Sequence, residues 1–174
     1  MSVTRRSIIL GSFGLAACAR MPTSPEGPLA PITLDTAFSG RANGAGVFRV
    51  DLTGSERRFT ARLNSRLHGD RLTIVEDFFY DDGEENRLTW VFDRAGPGRW
   101  KGQREDTVGE AEVIEGGNEI RLSYVADFRS GGEVIRLGFE DVIYFSSNGR
   151  VINDAIVTRL GIPVGRVRFE MQPA

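Results

Sequence analysis

The sequence predicts an all-β fold, a closed or nearly closed antiparallel up-and-down barrel of about eight to ten strands. Three observations lead to this prediction. Turn-forming clusters rich in glycine, proline, asparagine and aspartate punctuate the chain at near-regular intervals from about Val47 onward. Between them, apolar and polar residues alternate with period two, which is typical of strands with one buried face. No window of helical length shows a convincing 3.6-residue period.

Eight clusters mark the predicted turns in order along the chain. They are Thr53-Gly54-Ser55, His68-Gly69-Asp70, Asp81-Asp82-Gly83, Gly96-Pro97-Gly98, Gly116-Gly117-Asn118, Ser130-Gly131-Gly132, Ser147-Asn148-Gly149 and Gly161-Ile162-Pro163. Their uniformly short lengths favour a meander of neighbouring strands over the crossings of a two-sheet sandwich, which is the second choice. Because closure removes exposed strand edges, we expect a barrel of the lipocalin type.

Each predicted strand carries one apolar face that the barrel would turn inward. The predicted inward residues are Phe59, Leu72, Ile74, Phe78, Trp90, Phe92, Tyr124, Phe128, Phe139 and Phe169. About eight strands leave an interior that side chains nearly fill, and about ten should leave more room. These residues therefore predict either a cavity for an acyl chain or similar apolar ligand, or a solid core.

Two carboxylates interrupt the apolar faces. Glu76 is in register with Leu72 and Ile74, and Asp141 is in register with Phe139. A buried carboxylate must be paired, hydrogen-bonded or protonated, because desolvating an unpaired charge is very costly. The cations available in neighbouring strands are Arg87, Arg104, Arg136 and Arg159. The carboxylates then fit three roles: a structural ion pair, a polar anchor for a ligand headgroup, or a general acid and base.

The N-terminus has the pattern of an exported lipoprotein. Arg5 and Arg6 precede a short apolar stretch that ends at Ala17, which predicts a signal peptide over residues 1–17. Leu-Ala-Ala before Cys18 resembles a bacterial lipobox, so Cys18 is the expected lipidation site and a membrane the expected partner. The arginine pair also resembles a twin-arginine signal, leaving export by the Sec or the twin-arginine route.

This pattern sets the predicted domain organisation. Residues 18–37 hold the lipidated cysteine and a proline-rich tether, and residues 38–174 form the barrel domain. Ala19 follows the cysteine where an inner-membrane retention signal would place aspartate. We therefore expect an outer-membrane lipoprotein that faces the periplasm.

Composition excludes several classes of function. The formal net charge is −2, which argues against nucleic acid as a partner. Cys18 is the only cysteine and His68 the only histidine, so a thiolate metal cluster or an intramolecular disulfide cannot form. We expect no metal site and no cofactor. The acidic run 81–86 resembles a calcium loop only in composition, and a solvated hairpin is the better interpretation.

The chain resembles a proteobacterial lipoprotein family known only as a domain of unknown function, over roughly Phe38 to Phe169. The segments that carry the resemblance are Phe38–Gly40, Gly44–Phe48, Arg57–Phe59, Leu72–Glu76, Phe78–Gly83, Arg87 with Trp90, Gly102–Gly109, Gly117-Asn118, Phe139–Asp141, Asn153–Gly161 and Val164-Gly165 with Phe169. Glu140, Val142 and Arg159 depart from residues the family favours. The resemblance implies a lipocalin-like shape and, since members often lie near cyclopropane fatty acid synthase genes, a lipid ligand.

These observations give one leading hypothesis and two alternatives. We expect a membrane-anchored barrel that binds or shuttles a fatty acid or other apolar ligand without catalysis. The residues expected at the ligand are Glu76, Arg87, Trp90, Asp106, Asp141, Asn153 and Arg159. The alternatives are an envelope or protein-interaction lipoprotein with a filled core, and a lipid-modifying enzyme that uses Glu76 and Asp141.

Overall fold

The chain forms a closed antiparallel barrel of ten strands in a computed structural model that describes residues 22, 30–130 and 132–174. Each strand pairs with the next along the chain, and β1 pairs with β10 to close the wall. The predicted up-and-down barrel is therefore confirmed. The predicted signal peptide, Cys18 and most of the tether lie outside the described residues.

The wall is built from strands of unequal length. The elements are α1 Leu34–Ala37, β1 Arg41–Val50, β2 Glu56–His68, β3 Arg71–Tyr80, β4 Glu85–Gly96, β5 Arg99–Gln103, β6 Ala111–Glu115, β7 Ile120–Ser130, β8 Glu133–Phe145, β9 Val151–Arg159 and β10 Ile162–Pro173. Each of the eight predicted turn clusters overlaps a connection between consecutive strands. The remaining connection, residues 104–110 between β5 and β6, carries no predicted turn.

The period-two pattern separates the two faces of the wall. In β2, Phe59, Ala61 and Leu63 are buried, and the residues between them are exposed. Leu67 is the exception on this face, since it lies near the end of β2 and is 48% exposed. Gly46 of β1 lies against the Phe59 ring, where an added Cβ would be only 2.3 Å from Cζ. Glycine there lets the ring lie flat against β1.

One end of the barrel is filled by the segment that precedes β1. Ile32 and Leu34 are 1% and 0% exposed. The Leu34 N–H and the Trp100 Nε1–H both donate to Glu115 Oε1, each at 2.8 Å. The barrel domain therefore starts before residue 38, and the tether predicted to extend to residue 37 ends earlier, because Ile32 and Leu34 belong to the core.

The outer face of β8 and β9 also carries buried residues. Val142 and Tyr144 alternate with the inward-facing Asp141 and Ile143 of β8, and they form a small buried cluster there with Ile152, the cross-strand neighbour of Tyr144. Val142 therefore lies outside the barrel interior. In the described part of the chain, no helix has both the length and the apolar character that crossing a bilayer requires.

Candidate functional site

A cavity of about 690 Å³ occupies the barrel interior. This volume is within the range of roughly 300–1,000 Å³ that is typical of small-molecule sites. The cavity extends from Leu34 and Met171, at the end filled by α1, to Val50 and Tyr80, toward the opposite end. Nine of the ten predicted inward residues line it, and the tenth, Leu72, is 1% exposed. The interior is therefore hollow, not filled by side chains.

Six polar side chains form a cluster partway along the cavity, and we call this cluster the polar belt. Other polar residues, among them Glu56, Arg57 and Asn86, line the cavity toward the end away from α1. The polar belt consists of Glu76 from β3, Arg104 and Asp106 from the β5–β6 connection, Tyr124 from β7, Asp141 from β8 and Asn153 from β9. Apolar residues lie on both sides of it along the barrel axis, with Ile74 and Ile143 toward α1 and Phe78 and Phe139 toward the opposite end. A ligand that fills the cavity must pass or contact the polar belt.

The β5–β6 connection takes its position from the unequal strand lengths. β5 and β6 have five residues each, whereas the flanking β4 and β7 have twelve and eleven. Residues 104–110 therefore lie where the two short strands would otherwise continue. The Val108 and Asp127 N–H groups donate to Val125 O and Asp106 O at 2.8 Å, and the Thr89 N–H donates to Glu105 Oε2 at 2.7 Å. These bonds fix the connection to β4 and β7.

Arg104 is the central cation of the polar belt. Its Nε and Nη2 donate to the two carboxylate oxygens of Asp106 at 2.7 and 3.1 Å, and its Nη1 lies 3.8 Å from Glu76 Oε2. The guanidinium carbon lies 4.8 Å from the centroid of the Trp90 ring and 5.3 Å from that of Tyr124. Burial lowers the pKa of Arg104, but Tyr124, Asp106 and Glu76 outweigh burial and raise it. Arg104 therefore stays charged.

Asp141 and Asn153 form the second part of the polar belt. Asn153 Nδ2 donates to Asp141 Oδ2 at 3.0 Å. The other oxygen of each side chain, Asp141 Oδ1 and Asn153 Oδ1, is buried without a hydrogen-bond partner. Buried polar atoms without partners are rare in folded proteins, and each one calls for an explanation. Asp141 is only 3% exposed, so bulk water does not supply the missing bond.

The two interior acids have unusual protonation behaviour. Burial raises the pKa of Glu76 to about 7, because the opposing charge of Arg104 offsets desolvation only in part, and Asp106 and Asp141 add repulsion. Burial likewise raises the pKa of Asp141 to about 7, although the Asn153 hydrogen bond and Arg104 oppose this shift. Burial also raises the pKa of the Tyr124 phenol. Near neutral pH, both carboxyls therefore exchange between charged and neutral forms.

Six of the seven predicted ligand-binding residues line the cavity, and five of them lie at or beside the polar belt. Glu76, Trp90, Asp106, Asp141 and Asn153 all line the cavity. Glu76 and Asp141 are buried as their place in the strand alternation predicts, at 6% and 3% exposure. Asp106 is brought to them by its salt bridge with Arg104.

Arg87 lines the cavity but turns its charged group outward, and Arg159 is not among the lining residues. The Arg87 side chain is 70% exposed and pairs with Asp77, its cross-strand neighbour, at 2.5 Å, because both residues alternate with the inward-facing Glu76 and Leu88. Arg159 ends β9 and is exposed. Arg136, also considered as a partner for the acids, pairs with Asp127 on the surface. Of the four candidate cations, Arg104 alone enters the polar belt.

A signal for Arg104 was present in the sequence. Trp100 and Gly102 alternate on the inward face of β5, and continuing that phase past the end of the strand reaches Arg104 and then Asp106.

No cluster of three or more His, Cys, Asp or Glu side chains suited to a metal ion occurs among the described residues.

Comparison with known proteins supports the family and the barrel fold. A family model described as "Protein of unknown function (DUF3833)" matches residues 12–173. No curated protein matches the chain. Among solved structures, the chain is similar to the S-type phycobiliprotein lyase CPES from Guillardia theta, with a TM-score of 0.55 and 9% sequence identity over 80% of this chain and 90% of that one. At this identity the likeness concerns the fold alone.

Proposed function

The chain belongs to the DUF3833 family of proteins of unknown function, and we propose that it is a membrane-anchored carrier that faces the periplasm. In this proposal it binds or shuttles a lipid-derived or other apolar ligand and does not catalyse a reaction. The observation that supports it is the internal cavity, which is lined by aromatic and aliphatic side chains, by the polar belt and, toward the end away from α1, by further polar residues such as Glu56 and Arg57.

The cavity favours a carrier over a purely structural lipoprotein. A protein that works through its surface gains nothing from an internal volume of about 690 Å³, and filling such a space with side chains would stabilise the fold. The wall is aromatic where a ligand would pack. Phe59 contacts Phe78 and Phe169 with ring centroids 5.6 and 5.3 Å apart, and Tyr124 stacks on Phe139 at 4.7 Å. Such a wall suits an apolar chain or ring.

Ligand binding is tested with a cavity-filling variant in the full-length Cys18→Ser chain, which cannot be lipidated. Ala155 is 4% exposed and lines the cavity beside Asp141, its cross-strand neighbour. We expect the neutral dye N-phenyl-1-naphthylamine to fluoresce on binding, and Ala155→Phe to weaken its binding at least tenfold. The control is Thr60→Phe, which adds a ring to an exposed position of β2.

The outcome that contradicts the carrier proposal is clear from the parent chain alone. A folded Cys18→Ser chain that binds neither the dye nor any lipid extracted from the cells would contradict it, whatever Ala155→Phe does. Circular dichroism of each variant establishes that the barrel has folded before binding is compared.

Anchoring is a separate part of the proposal and rests on Cys18 and the leader before it. Three acyl chains on an N-terminal cysteine would anchor the protein stably, since each buried methylene contributes about 0.8 kcal/mol. We expect the wild-type chain, which keeps Cys18, to fractionate with outer membranes and the Cys18→Ser variant to move to the periplasmic fraction. Equal distribution of the two proteins would exclude lipidation at Cys18.

A second candidate function has one observation in its favour. The pKa values of Glu76 and Asp141 lie at about 7, where a general acid and a general base work best. An enzyme that modifies the bound lipid would need at least one of these carboxyls. A Glu76→Gln, Asp141→Asn double variant that complements a deletion strain as well as wild type would exclude this candidate and leave the carrier proposal in place.

A further inference from the structure

The polar belt also indicates the chemistry of the ligand's headgroup. Resting on the proposed function, we infer that the cavity takes an apolar molecule whose buried end is a hydrogen-bond-donating group, a hydroxyl or a protonated amine, and not a carboxylate. Both groups share the feature that the site requires, an N–H or O–H directed at a pair of buried oxygens.

The first argument is the pair of unused acceptors. Asp141 Oδ1 and Asn153 Oδ1 are buried without partners, and both side chains line the cavity. Their remaining polar atoms already bond each other at 3.0 Å, which fixes the two free oxygens in place. A hydroxyl or ammonium group supplies the missing donor, whereas an ionised carboxylate offers only acceptors. A carboxylate would therefore leave both oxygens unsatisfied.

The second argument is charge. A fatty-acid carboxylate at the depth of Asp141 would need a free cation there, but Arg104 already gives two hydrogen bonds to Asp106 and faces Glu76 across 3.8 Å. Arg57, whose Nη1 is also buried without a partner, lines the cavity at the end away from α1 and already pairs with Asp82 and Glu84. No other Arg or Lys side chain among the described residues pairs with an acid of the polar belt. An added anion would lie near three carboxyl groups with one shared arginine, and like charges disfavour one another at such distances. A neutral or cationic headgroup meets no such repulsion.

The third argument is the position of the acceptors along the cavity. Asp141 lies between Phe139 and Ile143 on the inward face of β8, so apolar wall continues on both sides of it. A headgroup at Asp141 therefore keeps its apolar body within the barrel. The predicted partner was a fatty acid or other apolar ligand, and the polar belt favours the second of these.

The inference is tested with three unbranched probes of twelve carbons each that differ at the headgroup. Dodecanol, dodecylamine and dodecanoate compete with N-phenyl-1-naphthylamine for the full-length Cys18→Ser chain at pH 8, below their aggregation concentrations. We expect dodecanol or dodecylamine, or both, to displace the dye at concentrations at least tenfold lower than dodecanoate. Dodecanoate that displaces the dye as well as either of the others would overturn the inference while leaving the carrier proposal intact.

Variants assign the preference to the acceptor pair. Asn153→Leu removes one acceptor and should reduce the preference for dodecanol or dodecylamine over dodecanoate at least fivefold. The control Asn43→Leu, at an exposed position of β1, should leave this preference unchanged. Asp141→Asn distinguishes the amine from the alcohol, because loss of the carboxylate should weaken the binding of dodecylamine more than that of dodecanol. An unchanged preference in folded Asn153→Leu and Asp141→Asn would overturn the assignment. Absence of binding by the dye and by all three probes would overturn the carrier proposal and, with it, this inference.

Discussion

The inner and outer faces of the barrel wall use the same ionic groups in opposite ways. On the outer face, Arg71, Arg87 and Arg136 each pair with the aspartate directly across the sheet, at 2.5 to 2.8 Å, with arginine side chains 61–70% exposed. Inside the barrel, Arg104 pairs with both Glu76 and Asp106, and its side chain is 9% exposed. Water screens the outer pairs, whereas the inner group has only its own members to balance its charge.

The difference appears in the carboxyl groups. The hydrogen bonds from Arg87, Arg71 and Arg136 lower the pKa of their partners Asp77, Asp93 and Asp127. Burial raises the pKa of the inner acids Glu76 and Asp141 to about 7. Outer acids are therefore ionised at neutral pH, and inner acids are at the midpoint of their titration. The inner acids therefore differ from the outer ones in charge state as well as in burial.

Replacement of Arg104 by methionine tests the contrast with the largest expected effect. Asp106 and Glu76 would keep their burial and lose their cation, and breaking a buried pair in this way costs about 3–5 kcal/mol. Urea denaturation of the full-length Cys18→Ser chain measures the loss. The Arg104→Met, Asp106→Leu double variant should recover part of it, because it removes both members of the pair. A loss below about 1 kcal/mol for Arg104→Met would mean that the inner group is screened like the outer pairs.

The apolar side of the same contrast is tested at two leucines that lie directly opposite each other in the β2–β3 hairpin. Leu72 is 1% exposed and Leu67 is 48% exposed. Leu72→Ala should lower the free energy of unfolding by about 2–5 kcal/mol, since it removes buried methyl groups and leaves a void. Leu67→Ala should change it by about 0.5 kcal/mol or less, as at other surface positions. Equal losses would show that burial does not distinguish the two sites.

Much of this contrast could be predicted from the sequence, because period two and turn chemistry are local. Glu76 and Asp141 face inward because inward and outward positions alternate without interruption in their strands. The eight turn clusters predicted every connection between strands except one. The β5–β6 connection was missed because residues 104–110 contain only one glycine and no proline. Because that connection was missed, the inward phase of Trp100 and Gly102 was not followed on to Arg104, and the choice among four arginines stayed open.

The helix α1 was missed for a different reason. Its four residues are too few to show a helical period, and they follow a proline-rich stretch typical of a tether. Leu34 is buried by tertiary contacts with the barrel end, among them the bond of its N–H to Glu115, 81 residues further along the chain. Such distant contacts leave no local trace in the sequence.

The pH dependence of stability should separate the two sets of acids. Glu76 and Asp141 have folded-state pKa values of about 7, above the unfolded values near 4. Between about pH 4 and pH 7, the folded chain therefore binds more protons than the unfolded chain. The contribution of these two groups to the free energy of unfolding is fully present below about pH 4 and is lost as the pH rises through about 7. The outer aspartates have lowered pKa values, so their contribution is lost only at lower pH.

We therefore expect the Tm of the Cys18→Ser chain to fall by several degrees between pH 5 and pH 8, given that about 1 kcal/mol shifts Tm by roughly 2–4 °C in a chain of this size. The other charges that face the two acids, Arg104, Asp106, Glu105 and Glu140, are kept in the Glu76→Gln, Asp141→Asn variant. Its Tm should be nearly flat over the same range. A parallel fall in both proteins would assign the pH dependence to other groups.

The smallest expected effect lies at Arg87, the cation that the sequence placed at the ligand. Its bond to Asp77 is short, at 2.5 Å, yet an exposed pair gains little, because water solvates both partners equally well when they are apart. Arg87→Met should therefore leave the urea midpoint and dye binding unchanged, in contrast to Arg104→Met. Both variants remove one guanidinium and keep an unbranched side chain, so net charge and bulk are matched and only position differs. Weakened dye binding in Arg87→Met would show that the outer wall near β4 contributes to ligand entry, and the division into a functional inner face and a solvated outer face would then be wrong.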